Sequence, residues 1–215
     1  MITVTNLSKK YSGQTVLEIL ALEVPKGQKF GLVGNNGSGK TTLFSLLLDL
    51  IEASTGNVTF NKIDVHKSEE WKPYTSAFID ESYLISYLTV EEYFYFLGNL
   101  RAVSKEEINI WVQEFEPFFN GEILGQKKYL RDLSKGNQKK AGIVVTLIGK
   151  PELVILDESF ANLDPTTQIR LKKLIRDEAE KHGTTFLISS HDLIHVIEVC
   201  DRIVLLEKGL AIKDI

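Results

Sequence analysis

Gly34-Asn35-Asn36-Gly37-Ser38-Gly39-Lys40-Thr41 sets two glycines either side of four residues and follows them with lysine and threonine, the spacing of a P-loop. Glycines let the backbone wrap a phosphate with its N–H groups pointing inward, and a helix N-terminus behind the loop adds positive dipole. Lys40 then reaches the outer phosphates. The Thr41 hydroxyl would then ligate a magnesium ion that keeps most of its other ligands as water, carboxylate and phosphate oxygen. The flanks agree with this reading. Phe30-Gly31-Leu32-Val33 is an apolar run expected to be a strand entering the loop, and Leu43, Leu46, Leu47, Leu50 and Ile51 recur with helical spacing behind it. Strand, loop and helix together predict a nucleotide site.

At 215 residues the chain is long enough for one α/β domain with an inserted subdomain, but short for two independent domains. Lys plus Arg number 25 against 29 Asp plus Glu, a net charge of −4, so bulk electrostatics favour no polyanionic partner, nucleic acid included. The single cysteine, Cys200, cannot staple the fold and is expected on the apolar side of a helix in a reducing compartment. Met1-Ile2-Thr3-Val4 has no basic, then apolar, leader pattern, and no apolar run approaches the roughly 20 residues that span a bilayer. A chain soluble by itself is expected, without internal repeats or a proline-rich linker.

Upstream of the loop, Ile2 and Val4 alternate, Val16 to Val24 forms a second β-like run, and Ser12-Gly13 and Pro25-Lys26-Gly27 punctuate them, which predicts an antiparallel sheet. Tyr11 beside that first turn offers a ring that either stacks on a base or sits on the surface. Downstream, Gly56 to Lys62 reads as a hairpin strand and turn, and Thr75 to Ile79 as a strand ending at Asp80 and Glu81, carboxylates placed to approach a magnesium ion or its waters. From about Thr89 the pattern becomes helical and aromatic-rich: Val90, Tyr93, Phe94, Leu97 and Leu100 share one spacing, as do Ile108, Val112 and Phe115. Residues 82–148 contain no convincing strand and read as a helical insert between two strands of the core.

Leu153-Val154-Ile155-Leu156 is an uninterrupted apolar run tipped by Asp157-Glu158, as expected of a doubly buried parallel strand. Open parallel sheets bind ligands beyond the carboxyl ends of their strands, where one carboxylate can hold magnesium and the next polarise an attacking water. Asp164-Pro165 starts a helix as N-cap and first residue, and Gly183 closes it. Thr185-Phe186-Leu187-Ile188 then runs into Ser189-Ser190-His191, a second polar strand tip. His66, His182 and His195 lie where solvation explains them. A final hairpin is expected around Lys208-Gly209.

In this order the residues resemble the ATP-binding subunits of ABC transporters, and Leu133-Ser134-Lys135-Gly136-Asn137-Gln138 resembles that family's signature sequence. The likeness spans essentially the whole chain. It implies a P-loop NTPase core of α/β class with a parallel sheet, an N-terminal antiparallel β subdomain and an inserted α-helical subdomain, residues 1–215 forming one ATP-binding domain with its insert at about 82–148. It implies that Tyr11 stacks on adenine, that Gly34, Asn35, Asn36, Gly37, Ser38, Gly39, Lys40, Thr41 and Thr42 hold ATP, and that Ser134, Gly136 and Gln138 contact the nucleotide as well. Thr41, Glu81 and Asp157 would hold Mg2+, while Glu158, His191 and Lys40 carry the catalysis. Ala161-Asn162-Leu163-Asp164 becomes the loop that crosses the interface of an ATP-closed dimer. Some positions depart from the family pattern: Glu81 stands where many members have glutamine, Lys135 and Asn137 alter the commonest signature, and Ser159 stands where proline is usual.

The resemblance thus implies an ATPase that dimerises head to tail around two ATP molecules, as a homodimer or with another ATP-binding subunit. It would energise a separate integral membrane permease from the inner, cytoplasmic face of the cell membrane, most like bacterial export systems, with its helical insert facing that permease. An ABC-type ATPase acting on ribosomes or DNA is the alternative. Its relatives carry tandem nucleotide domains or long coiled coils, and this chain has neither of those nor a basic face.

Overall fold

The expected strand runs assemble into one ten-stranded sheet in a computed structural model that describes residues 1–215. The strands are β1 (Ile2–Tyr11), β2 (Gln14–Val24), β3 (Lys29–Val33), β4 (Thr55–Phe60), β5 (Ile63–Asp64), β6 (Thr75–Phe78), β7 (Leu153–Leu156), β8 (Thr185–Ser190), β9 (Arg202–Glu207) and β10 (Leu210–Asp214). Their order across the sheet is β5-β4-β1-β2-β10-β9-β3-β8-β7-β6. β1 pairs antiparallel with β2 and β4, while β3, β6, β7, β8 and β9 run parallel. The β1–β2 hairpin turns on Ser12 and Gly13, both at positive φ, as a two-residue turn requires. The terminal hairpin β9–β10 joins the halves: β9 lies beside β3, and β10 meets β2 at the single pair Leu210↔Glu18.

The helices are α1 (Lys40–Leu47), α2 (Val90–Leu100), α3 (Lys105–Trp111), α4 (Glu116–Phe119), α5 (Lys135–Val145), α6 (Pro165–His182) and α7 (Leu193–Ile197). Between β6 and β7 the chain forms α2 to α5 and short 3₁₀ turns, with one isolated bridge, Thr89↔Tyr129. Alternation along the strands splits the interior into two cores. Leu153, Ile155 and Leu187 face α1 with Leu43 and Phe44, whereas Val154, Leu156, Phe186 and Ile188 face α2, α5 and α6 with Phe94, Val144 and Leu171. Each such side chain contributes about 1.5–3 kcal/mol when fully buried. Capping boxes at Thr89/Glu92 and Ser104/Glu107 start α2 and α3. α6 has the expected ends: Asp164 accepts from the Thr167 N–H and Gly183 closes the helix at φ 67°.

Some local expectations are corrected. α1 stops at Leu47 because Asp49 adopts φ 52° and the Leu50 N–H bonds back to the Ser45 carbonyl, a Schellman closure, so Leu50 and Ile51 lie outside the helix. Leu100 is exposed at the end of α2 rather than in its core stripe. Cys200 lies beyond α7 rather than on a helix, packed toward Gly31, and burial pushes its thiol up to about 12. His195 is not solvated: its ring stacks on Phe160 at 4.9 Å, and burial, with Lys172 nearby, holds its pKa below the usual value.

Candidate nucleotide-hydrolysis site

β3, β8 and β7 are adjacent parallel strands, so their C-terminal tips deliver Gly34 onward, Ser190-His191 and Asp157-Glu158 to one edge. The P-loop is fixed by close approach. The Gly34 N–H donates to the Ser190 carbonyl at 3.4 Å, and a Cβ on Gly34 would fall 2.3 Å from the Leu206 carbonyl oxygen. Gly37 and Gly39 take φ of 78° and 106°, which side chains resist. The result suits a phosphate: the backbone N–H groups of Asn36, Gly37, Gly39, Lys40, Thr41 and Thr42 donate to no atom of the chain, and the Ser38 hydroxyl is buried without a partner. Unspent donors at the start of a helix are an anion site by construction.

Lys40 is 5% exposed, and its ammonium donates to the Gly34 and Asn35 carbonyls at 2.7 and 3.3 Å and lies 3.0 Å from Glu158 Oε1. The other Glu158 oxygen meets His191 Nδ1 at 2.8 Å. Burial pulls the Glu158 pKa up, but hydrogen bonds from His191 and Lys40 outweigh it and leave the carboxyl below its ordinary range. Asp157 differs. Burial dominates and raises its pKa, although it accepts from the Ser189 hydroxyl and, at 2.5 Å, from Thr41 Oγ1. Neighbouring carboxyls with oppositely shifted pKa values are suited to different roles.

Glu158 itself has φ 44°, a left-handed conformation that costs a non-glycine residue on the order of 1–3 kcal/mol and persists only where surroundings hold it. Its N–H donates to Ser189 Oγ, and its carbonyl accepts from the Ala161 N–H and from Lys139 Nζ. Neither Ser189 nor Lys139 was singled out in the sequence. Ser189 carried a signal, a hydroxyl at a strand tip. Lys139 carried none, standing in the polar run Lys135-Gly136-Asn137-Gln138-Lys139-Lys140.

The remaining expected site residues lie apart from this cluster. Glu81 Oε1 faces Lys139 Nζ at 3.7 Å, whereas Thr41 and Asp157 hydrogen-bond each other. No group of three or more His, Cys, Asp or Glu side chains is arranged to hold a metal ion; Thr41 with Asp157 supplies the oxygen pair that fits magnesium. Ser134 caps α5 by accepting from the Asn137 N–H and is exposed, with Gly136 half-buried beside it. Gln138 is buried, its amide donating to the Leu133 and Arg131 carbonyls. Tyr11 is 51% exposed with Lys9 over its ring at 5.0 Å; it shares no hydrogen bond with the P-loop.

A P-loop facing a carboxylate pair and a histidine at adjacent strand tips defines a nucleoside-triphosphate hydrolase. The family model described as ABC transporter matches residues 17–161. An uncharacterised ABC transporter ATP-binding protein of Methanocaldococcus jannaschii is 36% identical over 213 residues, 98% of this chain and 76% of that protein. The ATP-binding protein of a tungstate uptake system from Peptoclostridium acidaminophilum is 34% identical over 208 residues, 97% of this chain and 95% of that protein. A dimeric ATP-binding cassette in a post-hydrolysis state with ADP and phosphate matches at TM-score 0.89 and 22% identity, over 100% of this chain and 98% of that one, which shows the shared fold. The chain belongs to the ABC transporter family and is an ATP-binding, ATP-hydrolysing cassette.

Proposed function

We propose that this cassette forms a head-to-tail dimer that closes on two ATP molecules and drives a separate membrane permease. The observation that carries the reading is the meeting of Lys40, Glu158 and His191 at one edge while Ser134 stands exposed at the start of α5, free to serve another chain. The dimeric cassette of the same fold supports it. In this mechanism Glu158 accepts the proton of the attacking water, His191 holds the Glu158 carboxylate and reaches the γ-phosphate, and Lys40 turns from the loop carbonyls to the transferred group. Thr41 and Asp157 would hold Mg2+, which supplies charge stabilisation on the phosphate oxygens when bound.

The trans arrangement has a direct test. Gly136 takes no positive φ, and a Cβ there would meet only the Asn162 carbonyl oxygen, at 3.5 Å, so Gly136→Asp is sterically mild while placing negative charge where a partner's phosphates are expected. Neither Lys40→Ala nor Gly136→Asp should hydrolyse ATP alone; mixed, they should regain one competent composite site per mixed dimer. Activity that stays at the parental level although mixed dimers form would remove the head-to-tail model.

No helix of the chain is long and apolar enough to cross a membrane. The docking site proposed for the permease is a groove of about 310 Å3 beside Glu81, lined by Leu48, Leu50, Trp71, Ile79, Tyr83 and Tyr93. Of the aromatic residues between Tyr83 and Phe96, Tyr93 and Phe94 are buried and Tyr95 is half-buried, whereas Tyr83, Tyr87 and Phe96 face outward, an apolar rim without a partner in this chain. Such docking places the cassette on the inner face of the cell membrane. Tyr83→Asp and Phe96→Asp should abolish permease-stimulated turnover while leaving ATP binding intact; uncoupling that maps instead to the Gly209 hairpin would refute the placement. The export direction is part of the proposal and rests on the resemblance of the whole motif pattern to bacterial export systems, against the example of the tungstate uptake relative. In proteoliposomes that hold the cassette with its permease, ATPase side outward, export appears as ATP-driven filling of the lumen.

A further inference from the structure

Lys139 is a buried ammonium that the chemistry above leaves unused. It is 5% exposed, its Nζ donates to the Glu158 carbonyl at 3.0 Å and the Ala161 carbonyl at 2.9 Å, and Glu81 Oε1 lies 3.7 Å away. One cation therefore touches the left-handed Glu158 turn, the loop that precedes α6, and the loop after β6. It does so from α5, the helix that Ser134 caps. Burial pulls the Lys139 pKa down, while Glu81 and Glu158 hold it up, so the charge depends on those neighbours. A glutamine at position 81, as in many family members, would leave this ammonium without a facing carboxylate. Glu81 and Lys139 form a matched pair in this chain.

We propose that Lys139 is a positioning residue for hydrolysis: it holds Glu158 in its strained turn through the backbone carbonyl and ties that turn to Glu81, so that a displacement of the Glu81 loop is felt at the Glu158 carboxylate. The proposal rests on Glu158 acting as the base.

Steady-state ATPase kinetics of the full chain test it with K139M, K139Q, K139R, E81Q and the double variant K139Q/E81Q. K139M removes both the donors and the charge, and should lower kcat by about tenfold to a hundredfold, the scale of a misplaced catalytic group, with KM for ATP within about twofold. K139Q keeps an amide donor and should fall between K139M and wild type, and K139R should restore most of the rate. E81Q should slow the wild-type chain but add nothing to K139Q, because the ion pair it breaks is already gone. Unchanged kcat in K139M, or fully additive losses in the double variant, would overturn the proposal. If K139M fails to fold, the K139Q and E81Q cycle decides alone. E158Q measured alongside separates the two readings: an active E158Q removes the base, whereas an inactive E158Q beside a fully active K139M removes only the role of Lys139.

Discussion

Lys40→Ala is expected to lower ATP turnover by at least about a hundredfold, about 2.7 kcal/mol of transition-state stabilisation, the size expected when a preorganised charge on the reacting group is lost. The structure gives this substitution two consequences. The first is the loss of charge at the cradle: no other Lys or Arg lies within ion-pair distance of the Glu158 carboxylate, and no other side chain donates to the loop carbonyls. The second is electrostatic. Lys40 is among the groups that hold the Glu158 pKa down against its burial, so its loss moves that pKa upward and depletes the ionised base as pH falls. Lys40→Arg tests the distinction, since it keeps the charge but not the compact reach of an ammonium. A Lys40→Ala chain with near-normal turnover, correctly folded, would sink the assignment of Lys40.

What the sequence made legible was local or periodic. The P-loop, the tips Asp157-Glu158 and Ser189-Ser190-His191, and both ends of α6 are short patterns whose geometry follows from the residues themselves. That Glu158 meets His191 required more: β7 and β8 had to be neighbours in parallel, which no local pattern states. The same holds for β9 and β10, readable as a hairpin but not as the joint between the two halves of the sheet. Asp49 ended α1 early because an aspartate can adopt a left-handed turn that hydrophobic periodicity does not register. Lys139 was invisible for another reason. Long cationic side chains on helices are ordinarily solvated, and the carbonyls of Glu158 and Ala161, brought back by the chain nineteen or more residues later, together with the Glu81 carboxylate make its burial tolerable.

Glu158→Gln is expected to separate binding from chemistry. The amide keeps the shape of the side chain and an oxygen for His191, but it cannot take the proton of the attacking water, and loss of a positioned general base costs typically about 10²–10⁴ in rate. The cradle keeps its donors, because the unspent N–H groups of Asn36, Gly37 and Gly39 to Thr42 make no contact with the residue 158 carboxylate and the Lys40 ammonium is also held by the Gly34 carbonyl. One ion pair does change: Glu158 Oε1 no longer offers a charge to Lys40, which frees the ammonium for the γ-phosphate and favours retention of ATP. With hydrolysis slowed, ATP persists in the site, and the bond that the proposed sandwich makes between protomers through the γ-phosphate is not consumed. The population therefore shifts from monomer to dimer by the differential affinity of ATP for the closed state. Size-exclusion chromatography of Glu158→Gln should show a dimer with ATP and a monomer without it or with ADP. A chain that turns over ATP normally and gives no nucleotide-dependent dimer would take Glu158 out of the mechanism, and an inactive chain that still fails to dimerise would count against the sandwich while leaving the base in place.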